Sequence, residues 1–192
     1  TVSNCVIRNF SAMDQLDKSA AVGISGGTLV GCVISENAAP QYNGRGMGVA
    51  AFGPDALVSN CVFDANKDFN YIYEPMCGYG VYAACGAKVT HSVFRNHKQV
   101  SNSYGAIYLL TGSCASHCVV TNNSLKTGAG IYIASAGSTV DNCLVANNTA
   151  SGNGGGIYAA AQSDIVNCTL ADNKAASGGG LYANAAGVRV VN

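Results

Sequence analysis

The side chains here with the chemistry to move protons or hold charge sit mainly in the first half of the chain. A polysaccharide lyase needs a base near the C5 proton of a uronate and a cation on its carboxylate. Lys67, Tyr71, Lys98 and Arg45 have the chemistry for those roles. Around them, loops carry Asp14, Asp17, Gln41, Tyr42, Asp68, Tyr73, Glu74 and His97 toward one side. Of the ten basic and ten acidic residues, seven of each precede residue 100. The favoured reading of these residues is a solvated loop surface, with no catalytic or metal site assigned.

Two further sets recur with a period. Six of the nine cysteines, Cys5, Cys32, Cys61, Cys118, Cys143 and Cys168, stand 25 to 31 residues apart once Ser92 is placed among them. Tyr82, Tyr108, Tyr132, Tyr158 and Tyr182 follow a comparable spacing. Both sets ask for an element that repeats every coil.

The surrounding residues define that element. Three positions before each mark stand Val2, Leu29, Val58, Val89, Ala115, Val140 and Ile165, and two after it Ile7, Ile34, Phe63, Phe94, Val120, Val145 and Leu170. Side chains alternate across a strand, so the mark and the position two beyond it share the inward face. The residue just before the mark reads Asn4, Gly31, Asn60, His91, His117, Asn142 and Asn167. Gly, Asn and His are the types that tolerate a left-handed backbone, so this column predicts a one-residue corner between two strands. Asn9, Asn37, Asn66, Asn96, Asn123, Asn148 and Asn173, four or five residues after the mark, read as a second corner. A Gly-rich loop then leads to a third strand, opening at Ile24, Val49, Val81, Ile107, Ile131, Ile157 and Leu181.

Three short strands per coil give an all-β, right-handed, single-stranded parallel β-helix of about seven coils. Residues 1–106 carry the elaborated loops and 107–192 the regular coils of a single domain. A helical solenoid would need runs of helix formers with apolar residues every three or four positions, which are missing. Cysteines in one inward column stack about 4.8 Å apart, beyond the usual Cβ separation of a disulfide, so they read as small buried hydrophobes. Parallel thiols do not converge on zinc, and one bridge among Cys77, Cys85 and Cys114 is left open. The five tyrosines point away from the core. They read first as cross-strand stacking, and second as a surface for sugar rings or a partner. Asp64 and Arg95 share a column on adjacent coils and read as an exposed ion pair.

Composition excludes other classes. Charged residues are 10% of the chain and the net charge is zero, with no basic patch for nucleic acid. No apolar run is long enough to span a bilayer. No cofactor is called for.

Gly155-Gly156-Ile157, Gly179-Gly180-Leu181, Phe63-Asp64-Ala65-Asn66 and Leu170-Ala171-Asp172-Asn173 resemble the repeats of polymorphic outer-membrane proteins and autotransporter passengers, within the pectin-lyase-like fold. The resemblance covers the whole chain. It implies an extracellular or cell-surface β-helix whose export signal lies elsewhere in a longer protein. The polygalacturonase motifs Asn-Thr-Asp, Asp-Asp, Gly-His-Gly and Arg-Ile-Lys are missing, as is a clustered Asp set for calcium. The expected function is a non-catalytic scaffold, an adhesin, passenger or filament segment. Its tyrosine strip, with Tyr42, Tyr73 and Glu74 of the loops, contacts a polysaccharide or cell-surface partner. The alternative is a carbohydrate-active enzyme or polysaccharide-binding module, a lyase or hydrolase, over the first coils. The terminal coils are expected to be covered by flanking sequence or by end-to-end self-association.

Overall fold

The structure, a computed structural model, describes residues 1–10, 20–39, 45–68, 76–99 and 102–192. All strand pairing is parallel and each coil pairs with the next, giving a solenoid of about six turns with no helix among the described residues. The strand after each mark forms one seven-stranded sheet from Val6–Arg8 to Thr169–Ala171. The strand before the mark and the third strand belong to a second, larger sheet. In the early coils these two run on as single long strands, Val22–Val30 and Val49–Ser59. From Val81–Ala84 and Lys88–Thr90 onward a turn separates them. The first third strand pairs Val22, not Ile24, with Val49, so it opens two residues earlier than the sequence pattern suggests.

The first corner forms as its residue types require. Asn4, Asn60, His91, His117, Asn142 and Asn167 take φ between 49 and 53°, and Gly31 takes 65°. Inside it, the two apolar columns meet in one continuous core, with Phe63 and Phe94 stacked 4.6 Å apart at an interplanar angle of 2°. The second corner is corrected by the structure. Positive φ falls at Asn9, Glu36, Ala65, Asn96, Asn122, Asn147 and Asp172, always four residues after the mark.

The asparagines one position later are inside and form a ladder. Asn148 Oδ1 accepts from the backbone N–H and Nδ2 of Asn123 at 3.1 and 2.9 Å. Its own Nδ2 donates to Val120 O at 2.9 Å and Asn173 Oδ1 at 3.0 Å. An amide has two donors and two acceptor lone pairs, and Asn148 uses all four. Asn37 and Asn66 make the same pair at 3.1 Å near the other end.

Close coil-to-coil approach requires the Gly-Gly motif. A Cβ on Gly130 would sit 2.5 Å from Gly156 O, and one on Gly156 would sit 2.5 Å from Gly180 O. No helix among the described residues is long and apolar enough to cross a membrane.

Candidate functional site

The outer face of the third strand holds the tyrosines. Parallel register sets Tyr82 beside Tyr108, Tyr108 beside Tyr132, Tyr132 beside Tyr158 and Tyr158 beside Tyr182. Ring centroids along this row lie 5.4, 5.0, 4.9 and 5.4 Å apart, and no interplanar angle exceeds 13°. Such offset-stacked pairs add about 0.5–1.5 kcal/mol each beyond area burial. Both faces of Tyr108, Tyr132 and Tyr158 are therefore taken by neighbouring rings. With their faces covered, these half-buried rings are reachable only at their edges. Tyr104 adds an edge-on contact to Tyr132 at 5.1 Å.

The strip is half-buried along its length and closed at one end, where Tyr82 is only 8% exposed. Phe52 packs 5.8 Å from Tyr82, and the Arg45 guanidinium lies 5.6 Å over its ring. Arg45 is held there by a parallel bridge to Cys77. A cation over an aromatic face is attracted by the ring quadrupole. Arg45 forms no ion pair among the described residues; those present are Arg95–Asp64 and Arg189–Asp164.

Burial sets the protonation of this face. It raises the Tyr108 hydroxyl far above the tyrosine range, aided by the nearby Cys77 sulfur, and takes Tyr132 to about 12. Cys77 is pushed up to about 11 by burial, against the opposing pull of its hydrogen bond with Tyr108 and of Arg45. Burial also raises Tyr82 and Tyr158, so the hydroxyls of these four tyrosines hold their protons at neutral pH.

The remaining candidates lie elsewhere. Lys67 pairs with Ala38 and Lys98 bridges Ser124, both exposed and both six residues after the mark, whereas Arg45 stands four residues before the strand residue Val49. Tyr71, Tyr42, Tyr73, Glu74, Asp14, Asp17 and Gln41 lie outside the described residues. His97, read from sequence as a loop residue, is fully buried and occupies the asparagine ladder. Its Nδ1 accepts the Asn66 N–H at 3.0 Å, which leaves the proton to Nε2, and Nε2 has no partner among the described residues. Desolvation lowers its pKa to about 4. The signal for this was the mark itself: counting five residues from Ser92 gives His97, where five other coils have Asn.

The thiols are free, and Cys32, Cys61, Cys118 and Cys143 are buried. Sγ of Cys143 accepts the Cys118 N–H at 3.4 Å and donates to Ala115 O at 3.6 Å. The hydrogen bond with Cys118 lifts the Cys143 thiol to about 12. Cys77, Cys85 and Cys114 are not joined by a disulfide in the structure, so the bridge left open among them is not seen. Arg95 Nε meets Asp64 at 2.9 Å at the surface, in the ion pair expected from their shared column.

No curated protein and no solved structure matches the chain. A family model described as "right handed beta helix region" matches residues 1–144 and 69–192, together the full length. With parallel coils, left-handed corners and stacked internal ladders already established, the chain belongs to the right-handed β-helix family.

Proposed function

We propose that the chain is a non-catalytic segment of an extracellular or cell-surface scaffold that presents its tyrosine strip and first loops to a partner. The observation that carries this reading is the strip: five rings in register across five coils, four of them half-exposed, ending at the buried Tyr82 beneath Arg45. A continuous outer row of this kind suits contact with an extended surface. The cell-surface placement, as an adhesin, passenger or filament segment, rests on the resemblance of the Gly-Gly-Ile repeats. In the same proposal, further coils or a second molecule stacked end to end cover the exposed Val6 and Val190.

A polysaccharide-binding module is favoured by one observation. Arg45, without a carboxylate partner among the described residues, lies over the Tyr82 ring at one end of the tyrosine strip, a cation placed to meet an acidic sugar. The two readings separate on one assay. The chain is incubated with polygalacturonate and with alginate, and unsaturated and reducing-end products are followed. The scaffold reading expects no product; turnover that falls in Lys67→Ala or Lys98→Ala would overturn it. Retardation in gels containing either polymer, relieved by Arg45→Gln without any product, identifies the binding module.

A further inference from the structure

Two of the seven first-corner residues are histidines, and they occupy adjacent coils. Strand pairing sets Val89 against Ala115 and Thr90 against Ser116, and so brings His91 and His117 side by side. Their imidazoles stack with centroids 4.9 Å apart and an interplanar angle of 7°, and both residues are exposed. Backbone conformation alone does not ask for this, since Asn and Gly form the same corner in the other coils.

A second observation concerns what stands behind the pair. Ser116 Oγ donates to Asp141 Oδ1 at 2.9 Å and lies 2.7 Å from His117 Nδ1. Because the Ser116 proton goes to the carboxylate, its oxygen is left to accept, and His117 Nδ1 must donate. Asn142 Nδ2 also donates to Asp141 Oδ1 at 2.7 Å, which fixes the carboxylate. The His117 lone pair therefore sits on Nε2. A histidine with one ring N–H tied toward a carboxylate and the other nitrogen open has the orientation of a metal ligand.

We propose that His91 and His117 form a surface site for a divalent transition metal of the zinc class, with Ser116 and Asp141 as positioning residues and water completing the coordination. Imidazole nitrogen suits zinc, copper and nickel, whereas calcium and magnesium require oxygen. Zinc–imidazole bonds of about 2.0–2.1 Å set two nitrogens on one tetrahedral ion about 3.3 Å apart. Rings stacked in parallel do not converge on one ion, so binding requires the exposed His91 ring to turn about its side-chain torsions toward Nε2 of His117, which Ser116 and Asp141 hold in place. Among the described residues no group of three or more His, Cys, Asp or Glu is placed to hold a metal, so the site rests on two protein ligands.

The chain has three histidines, and the buried His97 is an internal control. Zinc chloride is titrated into protein carrying Cys5→Ser and Cys85→Ser, which removes the exposed thiols, while imidazole carbon–proton NMR signals are followed. His91 and His117 signals are expected to shift together and saturate at one zinc per chain, with His97 unmoved. His91→Asn and His117→Asn each weaken zinc binding at the surviving ring at least tenfold. Both keep the metal-free fold, read as an unchanged circular dichroism spectrum, because Asn occupies this corner at Asn4, Asn60, Asn142 and Asn167. Ser116→Ala weakens binding about tenfold, in the range for loss of a ligand's orienting partner. A response from one ring only, responses at different zinc concentrations, or a His117 response unaltered by His91→Asn would overturn the shared site. Unaltered affinity in Ser116→Ala would overturn the positioning role.

Discussion

The coils from Cys118 to Asn173 and the coil that begins at Ser92 have the same backbone but differ inside. In the later coils each inward polar position repeats: Cys118, Cys143 and Cys168 in one row, Asn123, Asn148 and Asn173 in another. The fourth coil replaces the thiol with Ser92, the amide with His97 and the glycine before the third strand with Ala106. Ser92 is a complete substitute, since its Oγ accepts the Cys61 N–H at 3.1 Å and donates to Thr90 O at 2.7 Å. His97 is a partial one. It supplies the acceptor that Asn66 needs but cannot donate to both the Phe63 carbonyl and Asn123, as an amide would. A solenoid interior thus tolerates any side chain that completes the acceptor side, and bears the cost where a donor is left over.

The comparison is tested hardest by Asn148→Ala. It removes an amide with all four bonds made and strands groups on both neighbouring coils, at about 3 kcal/mol or more. Urea unfolding measures this; a loss below that of His97→Ala would show that the complete ladder is no stronger than the interrupted one.

Next in size is acid sensitivity. His97 has a folded pKa of about 4 against an ordinary 6.5. The unfolded chain therefore binds the proton more readily, and folding stability is full above about pH 6.5 and falls as pH drops toward about 4. Across that window the loss is roughly 3 kcal/mol. His97→Asn should remove this slope, so that at pH 5 the variant's stability relative to wild type is about 2 kcal/mol better than the same difference at pH 7.5. Equal slopes for the two proteins would place the acid sensitivity elsewhere.

The smallest effect is expected at the surface of the same region. Asp64→Asn breaks the ion pair with Arg95, whose side chain is 48% exposed, and should cost less than about 1 kcal/mol. A larger loss in thermal unfolding would mean that charge, rather than the internal ladders, holds this coil.

The first corner was legible in the sequence because positive φ restricts residue types so narrowly that Asn, Gly and His announce it. The second was blurred for the same reason. Asn suits a left-handed backbone at Asn9 and Asn96, and also suits the interior ladder one position later at Asn37, Asn66 and Asn123, so one residue type marked two columns. His97 was hidden because it lacks that type altogether. At the candidate site, the tyrosine row follows from period alone. The neighbourhood of Arg45, Cys77 and Tyr82 does not, because loops of unequal length precede it and break the phase from which contacts are counted.

The stacked tyrosines also give the fold an optical signature. The chain has no tryptophan, so its near-ultraviolet absorption is dominated by ten phenols, five of which lie in one evenly spaced row. Rings this close couple their transitions. Circular dichroism in the phenol band therefore reports whether consecutive coils are in register, and is lost as they separate even where each coil keeps its own strands.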